Sequence, residues 1–147
     1  MSFLRAMKIS ASGLSAERVR MNVISENLAN VNTTRVEGRQ GPYRRKDVVF
    51  QSRGSGVSFD NLARGAFDPE VKAVSVQDVV EDPTPPKKVY DPGHPDADDK
   101  GYVPLPNISV MAEMVNMITS TRSFEANATV LNATKSMATE ALRIGKS

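Results

Sequence analysis

The sequence predicts an α+β chain. Paired long N- and C-terminal helices, coiled-coil-like, bracket a small β-rich middle region and an extended proline-rich linker. Three observations predict it. Residues 3–31 and 109–144 are free of proline and carry apolar residues at helical spacing. The middle gathers most of the glycines and most of the aromatics. Residues 82–106 hold seven of the nine prolines: Pro83, Pro85, Pro86, Pro92, Pro95, Pro104 and Pro106.

In the first helix Met7, Leu14, Met21 and Leu28 recur at every seventh position, with Leu4, Ala11, Ile24 and Val31 beside them. That is a near-heptad stripe, interrupted at Arg18 and Ser25 in its second column. Gly13 is the only glycine in this helix and costs about 1 kcal/mol relative to alanine there. A bend or a close backbone approach would account for it. The helix is expected to end between Asn30 and Thr34, with an Asn in the left-handed conformation.

Val48–Phe50, Val57–Phe59, Val71–Val80 and Lys88–Tyr90 read as short strands between Gly, Ser and Pro turns. The alternation from Val71 to Val76 predicts a half-buried strand. Proline fixes φ and removes a ladder donor, so residues 82–106 are expected to be extended or turning. Ser109 is placed to cap the second helix and Gly145 to follow its end. Its apolar row runs Val110, Met114, Met117, Thr121, Phe124, Ala128, Leu131, Ala138 and Leu142, broken by Lys135 and widened in its first half by Met111, Val115 and Ile118. The expected divisions are 1–34 (N-terminal helix of an assembly domain), 35–81 (β-rich region), 82–107 (linker) and 108–147 (C-terminal helix of the assembly domain).

Composition narrows the function. With 147 residues the chain suits one ordinary domain or two thin ones, and aromatics make up only 5%. A net charge of +2 is too small to point to nucleic acid or an anionic membrane. No apolar run approaches the ~18 residues of a membrane span, and the N-terminal residues lack the apolar core of a cleaved signal peptide. Without cysteine there is no disulfide, no Cys-based zinc site and no thiol nucleophile.

Two narrow apolar stripes at opposite ends must be covered, because an isolated helix is marginal in water. They cover each other in an intramolecular hairpin, the commoner use of such stripes, or they are covered by neighbouring subunits. A hairpin without a third layer leaves apolar surface exposed, which favours assembly.

The end motifs go further. Ser12-Gly13-Leu14-Ser15-Ala16-Glu17, then Asn22 and Asn27-Leu28-Ala29-Asn30-Val31-Asn32-Thr33, resemble the amino-terminal signature of bacterial flagellar rod and hook proteins. Glu113-Met114-Val115-Asn116-Met117-Ile118 and Arg122-Ser123-Phe124-Glu125-Ala126-Asn127 resemble their carboxy-terminal signature. Residues 43–50 and 96–107 narrow the resemblance to a proximal-rod member. Residues 33–41 and 53–71 depart from the pattern in being longer and more basic.

The resemblance implies a non-enzymatic structural subunit, stacking helically through its terminal helices around an axial export channel. The implied partners are copies of itself, other rod proteins, the rod-base adaptor and membrane-ring proteins, and the export apparatus in transit. Neither nucleic-acid binding nor membrane insertion is implied. The implied place is the basal body, within the periplasm, reached through type III export without a cleaved signal peptide. The packing interface is assigned to Leu14, Met21, Leu28, Met114, Met117, Phe124, Leu131 and Leu142. Asn27, Asn30 and Asn127 are expected to fix the helix end and register; Asn32 reads as exposed. Methionine suits such a seam because its thioether adapts to inequivalent neighbours.

Other signals carry less. Residues 96–101 resemble the start of an EF-hand loop, but the fifth position is Lys100 and the twelfth Asn107, so they read as a solvated acidic turn. His94, the only histidine, sits in the same loop with no catalytic or metal-ligating partner. The basic cluster Arg35, Arg39, Arg44, Arg45 and Lys46 matches no nucleic-acid fold and is expected to meet the acidic stretch 78–99. The four Asn-X-Ser/Thr triplets read as chance. No cofactor is implied. A different reading keeps the hairpin as the core of a soluble monomeric binding module whose basic loop holds an anionic ligand.

Overall fold

The computed structural model describes residues 3–53 and 72–145. In chain order it forms α1 (Phe3–Ala29), β1 (Lys46–Arg53), β2 (Ala73–Glu81), β3 (Lys87–Tyr90), β4 (Tyr102–Leu105) and α2 (Val110–Ile144). β1 pairs with β2, and β3 with β4 in an antiparallel hairpin. The expected strand Val57–Phe59 and most of the divergent stretch 53–71 lie outside the described residues.

The described residues divide into two compact units. The first holds α1 as far as Val19, residues 50–53 and 72–77, and α2 from Thr121. The second holds Arg20–Val49 and Asp78–Ser120. In the second unit Val23, Ile24, Tyr43, Val103 and Ile108 are buried. The first is thinner: among its described residues the buried ones are Ala16, Ser10 and Thr134, and Leu4, Leu142 and Ile144 stand exposed.

α1 closes without the left-handed residue expected of it: among the described residues only glycines have positive φ. Instead the Asn30 side chain turns back and donates to the Glu26 carbonyl at 2.9 Å, beside its own backbone bond to the same oxygen. Thr33 then bonds both the carbonyl and the side chain of Asn30. Ser109 starts α2, its hydroxyl accepting from the Ala112 N–H and its carbonyl from the Glu113 N–H. Gly145 follows the last helical residue.

Burial shows which helix faces look inward. On α2 the inward row is Glu113, Met117, Ser120, Phe124, Asn127, Leu131, Thr134 and Ala138, in alternating steps of four and three. Met117, Phe124, Leu131 and Ala138 belong to the expected stripe. The other column is polar, and Met114 and Leu142 lie exposed. On α1 the most buried residues are Ser10, Ala16, Val23, Ile24 and Asn27, so the row Met7, Leu14, Met21 and Leu28 is a half-buried flank. Hydrophobic residues alone misplace this face because part of the true contact is polar or small.

Gly13 permits a close approach in the first unit: a Cβ there would sit 3.1–3.2 Å from the Asn127 amide atoms. In the second unit Asn27 meets Glu113.

Residues 82–106 contain the β3–β4 hairpin: β3 takes in the expected strand Lys88–Tyr90, while β4 falls where only an extended linker was expected. Its register is Lys87↔Leu105, Lys88↔Pro104, Val89↔Val103 and Tyr90↔Tyr102. Both strands of a two-stranded sheet are edges, and an edge tolerates Pro104. Val103 is 2% exposed and anchors the hairpin, while Tyr90 and Tyr102 meet edge to face at 5.4 Å on the outer side. β2 takes in most of the expected half-buried strand, but Val74 is exposed while Ser75 is half-buried, and the residues beyond Val76 are all exposed.

Gly101 turns the chain into β4 at φ +79°, and a Cβ there would lie 2.9 Å from the Tyr90 ring. Both the conformation and the space require glycine. Gly101→Ala is expected to destabilise the fold by about 1–3 kcal/mol, read as a lower denaturation midpoint with an unchanged m-value.

Candidate functional site

The second unit is organised around a side chain at the end of α1. Asn27 is 0% exposed and all four of its hydrogen-bonding positions are engaged. Its Nδ2 donates to the Lys46 carbonyl at 2.8 Å and to Glu113 Oε2 at 3.3 Å. Its Oδ1 accepts from the Lys46 N–H at 2.9 Å and from the Tyr43 hydroxyl at 3.1 Å. The amide therefore pairs with both backbone groups of Lys46, as a neighbouring strand would.

Glu113, 1% exposed, extends this network. Its Oε1 accepts from Arg45 Nε at 2.8 Å, and Arg45 Nη1 reaches Asp47 at 3.1 Å. Burial weakens the Arg45 guanidinium's hold on its proton, but the hydrogen bonds to Glu113 and Asp47 more than reverse this, so its pKa stands above the ordinary arginine value. Burial, reinforced by Glu26, pushes the Tyr43 phenol well above its usual range and keeps it a neutral donor. Glu113 also lies in the first turn of α2, where a negative charge favours the helix dipole.

The basic cluster is largely occupied within the chain. Arg39 Nη1 reaches both carboxylate oxygens of Glu81 at 2.7 Å, Arg35 pairs with Asp96, and Lys46 pairs with Glu26 while lying over the Tyr43 ring. Two of these pairs join it to the acidic stretch 78–99, as charge predicts. An open cavity of about 360 Å³ lies among them, lined by Glu26, Arg35, Arg39, Tyr43, Arg44, Lys46, Glu81 and neighbours. Arg35, Arg39 and Lys46 among its cations are already paired within the chain.

The acidic loop is more tightly held than a solvated turn. Asp96 accepts from the Thr34 hydroxyl at 2.6 Å, tying the loop to the turn after α1. That bond first, and Arg35 second, hold the Asp96 carboxyl below its usual range. Asp98 accepts from the Tyr102 and Lys100 N–H groups, both at 2.9 Å, and is likewise lowered. His94 Nδ1 accepts from the Asp96 N–H at 3.0 Å.

The opposite face of α2 is apolar and uncovered. Met111, Met114, Val115 and Ile118 follow i, i+3, i+4 and i+7 spacing, and each is more than half exposed. Of the residues assigned to packing, Asn27 is fully buried. Leu14, Met21, Leu28, Asn30, Met117, Phe124, Asn127 and Leu131 are half-buried, while Met114 and Leu142 face outward. Asn127 Nδ2 donates to Ser123 O within its own helix. In the first unit Ser12 Oγ accepts from the Val74 N–H at 3.2 Å, joining β2 to α1.

Sequence reasoning missed Tyr43, Arg45, Glu113, Ser120 and Thr134 as structural contributors. The available signal was a column of polar residues at seven-residue spacing on α2: Glu113, Ser120, Asn127 and Thr134. Among the described residues no acidic or histidine group could hold a metal ion, and no helix is long and apolar enough to cross a membrane.

Comparison with known proteins places both ends of the chain. The family model for flagella basal body rod protein matches residues 7–35, and the model for flagellar basal body rod FlgEFG protein C-terminal matches residues 99–144. The chain is 46% identical to the flagellar basal-body rod protein FlgC of Bacillus subtilis (strain 168), over 99% of this chain and 100% of that one. Identity to FlgC of Escherichia coli O6:H1 is 45%, with the same coverage. For FlgC of Borreliella burgdorferi it is 40%, over 98% of each.

Asn27→Leu is expected to cost about 2–4 kcal/mol, because it strips partners from the Lys46 backbone, Tyr43 and Glu113 together. Hydrogen exchange at the Lys46 amide should rise in parallel. Acid should loosen the 91–101 loop. Asp96 has a lower pKa folded than unfolded, so its contribution is present above the ordinary carboxylate pKa of about 4 and is lost as pH falls through the depressed value. Asp96→Asn should flatten that acid limb in a pH series of thermal midpoints.

Proposed function

This chain belongs to the FlgC family of flagellar basal-body rod proteins, and we infer its work from that premise: it is a structural subunit of the flagellar rod. Full-length similarity to named rod proteins carries this reading. Its class of partner is other flagellar rod components, and its place is the basal body.

Beyond that, we propose how the surfaces divide the labour. The inward row of α2 serves the chain's own hairpin through the Asn27–Glu113 lock. The outward row Met111, Met114, Val115 and Ile118 serves docking to neighbouring subunits. The uncovered apolar area supports this, because monomeric proteins seldom leave a contiguous apolar stripe in water without a partner for it. Subunits stack helically around an axial channel, with copies of themselves, other rod proteins, and the adaptor and ring proteins at the rod base. The chain works without catalysis, in the periplasmic part of the basal body, after export through the flagellar apparatus.

Burial on assembly also makes stability depend on neighbours, since anything that binds only the folded form stabilises it. This suits a thin first unit that leaves Leu4, Leu142 and Ile144 uncovered.

The direct test is Ile118→Asp. The side chain is exposed, so the purified variant should keep its helical circular dichroism and its stability to thermal unfolding within about 0.5 kcal/mol. In a flagellated bacterium lacking its own copy, the variant should be exported yet fail to restore rods or swimming. Normal swimming would remove the outer face of α2 from the docking surface. Met117→Asp and Phe124→Asp, on the half-buried inward row, should lose both stability and incorporation.

A further inference from the structure

We propose that Met111 and Met114 are sites of sulfoxidation by peroxide-class oxidants, and that the modification disables the outer face of α2 for docking. The inference rests on the docking reading above and adds a chemical control to it. Met111 is 74% exposed and Met114 51%, so oxidant reaches both thioethers directly from solvent. They lie three residues apart on the face that also carries Val115 and Ile118.

The chemistry is complete with the oxidant alone. A lone pair on the methionine sulfur attacks one peroxide oxygen, the O–O bond breaks, and an S–O bond forms. The sulfur loses two electrons and hydrogen peroxide is reduced to water. The product exchanges a soft apolar thioether for a strong sulfoxide dipole that demands hydrogen bonds. Two such dipoles would break up the apolar face, and docking would bury them without donors. A subunit oxidised before docking is therefore excluded, while a docked subunit has these sulfurs covered.

Two other methionines supply controls. Met117 lies on the inward row and is half-buried. Met137 is 55% exposed, but its helical neighbours three and four residues away are small or polar. It should oxidise without consequence.

Purified full-length chain is treated with hydrogen peroxide over a time course, digested with trypsin and read by tandem mass spectrometry. Residues 101–122 form one tryptic peptide carrying Met111, Met114 and Met117, so relative rates come from a single molecule. Met111 and Met114 should gain oxygen several-fold faster than Met117; equal rates would overturn the site. In cells lacking their own copy, Met111→Leu with Met114→Leu should restore swimming. Met111→Gln with Met114→Gln, which brings sulfoxide-like polarity, should abolish it, and Met137→Gln should not. Equal helical circular dichroism of the two double variants separates docking from folding. If the Gln pair swims normally while Ile118→Asp does not, the oxidation inference falls and the docking reading stands. If Ile118→Asp also swims normally, the docking reading is the one at fault.

Discussion

A single primary amide holds the start of β1 in place. The Asn27 side chain presents the same donor and acceptor as a peptide group, and Lys46 answers with its own N–H and carbonyl. A strand that begins beside a helix has no ladder partner on that side, and buried backbone groups left unpaired are costly. Asn27 supplies the partner from a helix. Because it also bonds Tyr43 and Glu113, the same amide gathers the turn after α1, the first strand and the first turn of α2. Aspartate would lose the donors and set a second carboxyl against Glu113. Glutamine would place its amide one carbon too far out.

The Arg45–Glu113 pair behind this amide gives less stability than its geometry suggests. Removing a carboxylate from water costs several kcal/mol, and the ion pair recovers only part of it. What it does supply is selection. A slipped helix pairing would leave Glu113 buried without Arg45 or Asn27, and that penalty is far larger than losing one apolar contact. Ser120 and Thr134 continue the column, and Asn127 fits where Gly13 leaves room. α2 thus makes its intramolecular contact with polar and medium-sized groups. Its largest uninterrupted apolar stripe is left on the other side.

This division explains what could be read in the sequence and what could not. Both helices were legible because proline is absent from them and apolar residues fall at helical spacing. The inward face was only half legible. Met117, Phe124, Leu131 and Ala138 lie on it, but periodicity of apolar residues cannot find a column made of Glu, Ser, Asn and Thr. The same blindness put Met7, Leu14, Met21 and Leu28 at the centre of α1's contact, where they form its flank. Lys88–Tyr90 was legible as a strand, but proline density hid its partner β4, since Pro104 is harmless on an edge strand. The charges of the basic cluster and the acidic stretch were visible, but which cation meets which acid depends on folding that brings Thr34 and Arg35 to Asp96. Asn27 stood out only through the end motif; its four bonds depend on Tyr43, Lys46 and Glu113, well along the chain.

The arrangement matches the two kinds of contact that a rod subunit must make. Its contact with itself is always the same, so it gains from hydrogen bonds, which reject every register but one. Its contacts with neighbours differ wherever one rod protein meets another, so they gain from apolar groups, which are non-directional and tolerate small shifts. Met111 and Met114 suit that second role better than Leu or Phe, because an unbranched thioether fills irregular gaps at little cost. The price of adaptability is a sulfur open to oxidation until a neighbour covers it. Specificity inside and tolerance outside are therefore set by the opposite faces of one helix, in the three turns that follow Ser109.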